Sequence, residues 1–158
     1  MNGAWRGVFI FLFSALILCG CGQGKRPFLM VQICVQDNNG VTELLGRLRS
    51  VAVEQHMEFF ENGTQVAQEL PKLGYAGRER EDGSPLINAS VMQADGMGVT
   101  VGNIGLPGYQ VSLGFSEGSN FGDARKFADM MVGRLRERWV VDVVPEGHGA
   151  IPLARCRK

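Results

Sequence analysis

Residues 86–101 read LINASVMQADGMGVTV, and this stretch decides the fold class of the chain. Apolar residues such as Ile87 and Val91 alternate with small or polar ones on both sides of Asp95-Gly96. Alternation with a period of two is typical of strands with one buried face. Asp-Gly is a favoured two-residue hairpin turn. The stretch therefore predicts an antiparallel β-hairpin.

Further strands are predicted on both sides of this hairpin. The clearest are Phe28 to Val35, Tyr109 to Phe115 and Val140 to Val144, and a shorter one is indicated at Phe59-Phe60. The three longer stretches are rich in apolar residues and are bounded by Pro, Gly, Asn or Asp, which favour turns. They predict a sheet that is mostly antiparallel.

Two amphipathic helices are predicted from apolar residues that recur at the spacing of one helix face. The first follows Asn39 as a candidate N-cap and has an apolar face formed by Val41, Leu44, Leu45, Leu48, Val51 and Ala52. The second follows Asn120 as a candidate cap, ends near Trp139 and has an apolar face formed by Ala124, Phe127, Met131 and Leu135. A short helix over residues 64–70 is also indicated before Pro71.

The order strand, helix, antiparallel strands, helix, strand predicts an α+β fold. We expect a two-layer sandwich in which the two helices lie on one face of the sheet, with a ferredoxin-like topology. The formal net charge is zero, and the Arg-rich stretches at 78–81 and 134–138 contain acids or lie on a helix face. This pattern excludes the basic stripe that nucleic-acid binding requires.

The N-terminus has the charge and the apolar stretch of a secretory signal, at Arg6 and Val8 to Leu18. The apolar stretch is about half of the ~20 residues that a membrane-spanning helix needs. It ends in Leu18-Cys19-Gly20-Cys21, which resembles the lipobox of bacterial lipoproteins. The resemblance implies that residues 1–20 are removed and that Cys21 is lipidated. The alternative is a plain signal peptide that ends in cysteines.

The same resemblance implies a domain division and a location. Residues 21–26 would form a lipidated tether, and residues 27–158 a single α+β domain. Gly22 stands where Gram-negative lipoproteins retained at the inner membrane have Asp, so the resemblance implies the outer membrane, with the domain facing the periplasm. The chain is similar to small proteobacterial lipoproteins of uncharacterised function, mainly through the lipobox and loosely through residues 114–156. This similarity implies no activity.

Cys34 and Cys156 remain after Cys19 is removed and Cys21 is lipidated. Since secreted proteins meet an oxidising environment, we predict a disulfide between these two cysteines. Neither lies in a Cys-x-x-Cys pair or has a histidine at ligand spacing, so the sequence predicts no metal site. We also expect no cofactor.

Gly114-Phe115-Ser116-Glu117-Gly118 matches the G-x-S-x-G pattern of a nucleophile elbow. Asp142 and His148 follow in the order that a serine hydrolase triad requires. However, the next helix is predicted to begin too late for an elbow, and Gly and Ser are common in any strand-to-helix connection. The sequence therefore does not predict an enzyme, and a small serine hydrolase that uses Ser116 remains an alternative.

Two Gly- and Pro-containing stretches, Gly102 to Tyr109 and Pro145 to Pro152, are candidate recognition loops or simple tight turns. Since no coherent catalytic set is present, we predict a non-catalytic, lipid-anchored binding module. Its partner would be another envelope protein or a cell-wall component. A second alternative to this function is an immunity or inhibitor-type lipoprotein.

Overall fold

A computed structural model describes residues 26–73 and 83–156, and these form six strands and three helices. The strands are β1 (Leu29–Cys34), β2 (Glu58–Glu61), β3 (Asn88–Met92), β4 (Met97–Gly102), β5 (Gln110–Glu117) and β6 (Asp142–Val143). The helices are α1 (Asn38–Glu54), α2 (Gly63–Glu69) and α3 (Phe121–Arg136). The fold is therefore α+β, as predicted. The signal segment, Cys21 and residues 78–81 lie outside the described residues.

The six strands form one antiparallel sheet in the order β2-β3-β4-β5-β1-β6. β1 pairs along its whole length with β5, from Leu29 opposite Phe115 to Cys34 opposite Gln110. β5, α3 and β6 form a split β-α-β unit, because β1 lies between the two strands. The connection through α1 joins β1 to β2. These two strands are far apart in the sheet, because β5, β4 and β3 lie between them. The ferredoxin-like topology stays a prediction.

The hydrophobic core lies between one face of the sheet and the helices α1 and α3. Val31 and Leu113 from the sheet and Leu44 from α1 are fully buried in it. Phe115 meets Phe127 of α3 edge to face, with ring centroids 6.3 Å apart. The prediction that the two amphipathic helices share one face of the sheet is confirmed.

The N-terminal caps of the two long helices are held by side chains. Asn120 caps α3 as predicted, since its side chain accepts a hydrogen bond from the backbone of Asp123 at 3.2 Å. The cap of α1 is Asp37 rather than the predicted Asn39, and it accepts from the backbone of Gly40 at 2.8 Å. Asp37 has the extended backbone that a cap requires, whereas Asn39 already lies within the first turn of α1.

The central hairpin joins β3 and β4 by a longer loop than the predicted two-residue turn. Gln93 donates its backbone N–H to Met97 at 2.8 Å, and Gly96 donates to Gln93 at 3.0 Å. Gly96 has φ of 88°, the left-handed conformation found at the end of three-residue hairpin loops. The last strand is also shorter than predicted, because only Asp142–Val143 pairs with β1. Within residues 26–73 and 83–156, no helix combines the length and the apolar character needed to cross a membrane.

Candidate functional site

The C-terminal tail is attached to the sheet face opposite the helices. Val31 and Ile33 point into the core, so the alternating residues Gln32 and Cys34 lie on the other face. Cys34 and Cys156 are at disulfide distance, with Cα atoms 5.4 Å apart. This separation lies in the usual range for disulfides. The structure thus brings together the two cysteines that the sequence analysis paired.

Two buried glutamines hold the backbone of the same tail. Gln110 is fully buried, donates to the carbonyl of Ile151 at 2.5 Å and accepts from the N–H of Leu153 at 2.7 Å. Gln32 is 1% exposed, and with its amide turned to satisfy its neighbours it donates to Ile151 O at 2.8 Å and accepts from Ile151 N at 3.0 Å. Sequence reasoning missed both residues, because nothing in a strand pattern tells a buried glutamine from an exposed one.

Ser116 lies inside β5 rather than at a strand-to-helix turn. Its hydroxyl donates to the carbonyl of Gly96 at 2.7 Å, so it ties β5 to the β3–β4 hairpin. A nucleophile elbow holds its serine on a strained turn, whereas Ser116 is paired with Gly98 in regular antiparallel register. The geometry of Ser116 is therefore that of a structural hydroxyl.

Asp142, the acid of the possible triad, does not lie beside Ser116. Asp142 lies opposite Gln32 of β1, and Gln32 lies opposite Ser112 of β5. Ser112 is four residues before Ser116 along the same strand. Strand rise and spacing therefore separate the Cα atoms of Ser116 and Asp142 by about 16 Å. Asp142 instead forms an ion pair with Arg155.

The loop between β4 and β5 is fastened to the segment that precedes β3. Asn103 is 1% exposed, accepts from the N–H of Ile87 at 2.8 Å and donates to the carbonyl of Pro85 at 2.9 Å. Ser84 donates to the carbonyl of Gly108 at 3.1 Å. The loop presents Ile104, which is 50% exposed. This arrangement holds an apolar side chain on a preformed surface.

The second candidate loop, Pro145 to Pro152, begins at the opposite end of β1. Val144 donates its N–H to Met30 near the start of β1, and His148 donates to Pro145 in an exposed turn. The β4–β5 loop lies beyond Gln110, which is opposite the other end of β1. The second loop starts away from the first, but its Ile151 accepts a hydrogen bond from Gln110, so the end of the second loop lies beside the base of the β4–β5 loop.

A groove of about 570 Å³ lies between α1 and α3. Its rim carries ion pairs, including Arg134 with Glu54 at 2.5 Å and Arg138 with Glu43 at 2.9 Å. The hydrogen bonds from these arginines lower the pKa of Glu54 and of Glu43. Because these arginines and glutamates pair with each other, the groove resembles an ordinary contact between two packed helices whose edge is solvated.

Comparison with protein-family models, with curated proteins and with solved structures found no match for this chain. Over the ranges 26–73 and 83–156, no group of three or more His, Cys, Asp or Glu side chains is placed to hold a metal ion. Two features of this α+β domain are therefore candidates for a functional role. One is the C-terminal tail held across the sheet, and the other is the preformed loop that presents Ile104.

Proposed function

We propose that this protein is a lipid-anchored envelope protein whose domain faces the periplasm and binds another envelope protein or a cell-wall component without catalysis. The observation that carries the proposal is the use of its cysteines. Cys34 and Cys156 lie at disulfide distance in the fold, whereas Cys19 and Cys21 belong to the lipobox-like motif. A disulfide and a lipobox both belong to exported proteins, so the two features agree on the compartment.

The layout of the domain supports an anchored binding module. The tether enters at Phe28, whose N–H donates to the carbonyl of Phe115 at 2.9 Å. The Ile104 loop lies beyond Gln110, at the other end of β5. Five residue steps along the strand lead from Gln110 to Phe115, which corresponds to about 17 Å. A chain anchored through Cys21 would therefore present Ile104 away from the membrane.

The anchor is tested by replacing each cysteine of the motif in the full chain. We expect Cys21→Ala to lack the acyl mass and to leave the membrane fraction. Cys19→Ala is the matched control and should keep both, since the resemblance implies that Cys19 is removed with the signal. A Cys21→Ala protein that stays acylated and membrane-bound would contradict the proposed anchor.

The binding role is tested by crosslinking the anchored protein in its native cells and identifying the recovered partners by mass spectrometry. Ile104→Asp should reduce the recovery of a dominant partner, because it places a charge on the exposed tip of the loop. Val53→Asp is the matched control, since Val53 is 76% exposed on α1, away from this loop. Equal recovery with both variants would remove the Ile104 loop as the contact surface.

A further inference from the structure

We propose that Phe121, supported by Phe28, inserts into the phospholipid surface to which the chain is anchored and so fixes the orientation of the domain. The inference rests on the proposed lipid anchor and adds a second, non-covalent membrane contact. It follows from the position of the exposed Phe121, which contacts the half-buried Phe28 beside the point where the tether enters the fold.

Phe121 is the first residue of α3 and is 53% exposed, although it is large and apolar. Its ring meets Phe28 edge to face, with centroids 5.2 Å apart and planes at 73°. Phe28 is fixed in turn, since its backbone bonds to Phe115 in β5. The contact with Phe28 therefore restricts the Phe121 side chain. Phe121 would lose less conformational entropy on binding than a freely rotating side chain would.

The tether brings this projection to the bilayer. Seven peptide steps separate Cys21 from Phe28, which corresponds to about 25 Å at full extension. A short link of this kind raises the effective concentration of the membrane for the groups beside it. A contact too weak to bind a free protein to a bilayer can therefore become well populated in the anchored chain.

The charges on α3 favour apolar insertion over attraction to anionic lipid. Lys126 pairs with Asp123 at 3.1 Å, and Arg125 lies 3.7 Å from Asp129. These neighbouring charges balance, so the first turns of the helix present no basic patch. We therefore name the occupant as the headgroup and upper acyl region of a phospholipid bilayer, where an aromatic side chain is well accommodated.

The test uses the full, lipidated protein purified from membranes and reconstituted into phosphatidylcholine vesicles, with and without lipid brominated on its acyl chains. Phe121→Trp reports contact with the bilayer by bromine quenching of fluorescence. Ile104→Trp is the matched control: Ile104 is 50% exposed in the β4–β5 loop, at the other end of β5 from Phe28. Five residue steps of β5, from Gln110 to Phe115, separate the two ends by about 17 Å. Trp139 is only 8% exposed, and the quenching of its fluorescence is measured in the unsubstituted protein.

We expect the quenched fraction of Phe121→Trp to be at least about twice that of Ile104→Trp, because only the former would reach the acyl boundary. Equal quenching of the two variants in protein that is acylated and vesicle-bound would overturn the inference while leaving the anchor intact. Protein without acyl mass that is not retained by the vesicles would overturn both proposals.

A second comparison does not depend on an introduced tryptophan. Phe121→Ser should increase the rate at which a water-soluble amine reagent labels Lys126 in the vesicle-bound protein, because the start of α3 would no longer rest on the bilayer. Phe60→Ser should leave that rate unchanged. A labelling rate at Lys126 that is the same in both variants would count against the membrane contact.

Discussion

Removal of the Cys34–Cys156 link is expected to cost a large part of the stability of the domain. The two cysteines are 122 residues apart in the sequence. In the chain-entropy model, a closed loop of this size stabilises the folded state by about 5 kcal/mol relative to the open chain. Domains have total stabilities of only about 5–15 kcal/mol, so Cys156→Ser should approach the limit of folding.

Urea unfolding of the purified protein, followed by circular dichroism, measures this effect. With a urea dependence of about 1–3 kcal/mol per molar, we expect Cys156→Ser to lower the unfolding midpoint by about 2–5 M. Cys34→Ser and the double Ser variant should match it, because all three remove the same link. Reductant should lower the midpoint of the wild type and leave the double variant unchanged.

Two results would refute the reasoning about the disulfide. The first is alkylation of Cys34 or Cys156 in native protein taken from the envelope without reduction, which would show free thiols. The second is a Cys156→Ser midpoint that stays close to that of the oxidised wild type. The second result would mean that the loop closed by the link carries far less entropy in the unfolded chain than the model assumes.

Three further substitutions test local features of the fold. Asn103→Ala should lower the free energy of unfolding by about 1–3 kcal/mol, measured in urea, because it leaves the buried N–H of Ile87 without its partner. The pKa of Asp95 is lowered to about 2, first by the Ser119 hydroxyl and then by backbone N–H groups, so its contribution is complete above about pH 4 and is lost as the pH falls through about 2. An acid titration of stability should therefore show a smaller loss over that range for Asp95→Asn than for wild type. Gly118→Ala should cost more than about 1 kcal/mol in the same urea assay, since Gly118 has φ of 58° and a Cβ there would lie 2.6 Å from the first backbone nitrogen of β4.

The elements that were predicted correctly are those with a strong local pattern. The apolar faces of α1 and α3 repeat over several turns, and β5 alternates over its whole length, so each could be identified without knowledge of its neighbours. The errors lie at the ends of elements. Asp37 and Asn39 are both suitable caps by residue type, and the choice between them depends on where the backbone leaves β1.

The sheet order could not be predicted in the same way. Nothing in the pattern of β1 indicates that β5 rather than β2 or β3 lies beside it, because strand pairing over a long sequence separation depends on how the core closes. The possible triad illustrates the same limit. Ser116 and Asp142 were compatible in chain order, yet the register of β5, β1 and β6 separates them by about 16 Å.

The second face of the sheet is covered by the C-terminal tail, whose Cys156 lies beside Cys34 of β1. An antiparallel sheet can leave one face to water. Here β1 and β5 present polar side chains on that face, namely Gln32, Gln110 and Ser112. The tail is held by hydrogen bonds to the two glutamines, and its Cys156 lies at disulfide distance from Cys34. Hydrogen bonds contribute only about 0.5–1.5 kcal/mol each, so a disulfide would be the strongest single attachment of the tail. Oxidation of this cysteine pair would therefore strengthen the attachment of the tail, and this agrees with the exported location that we propose.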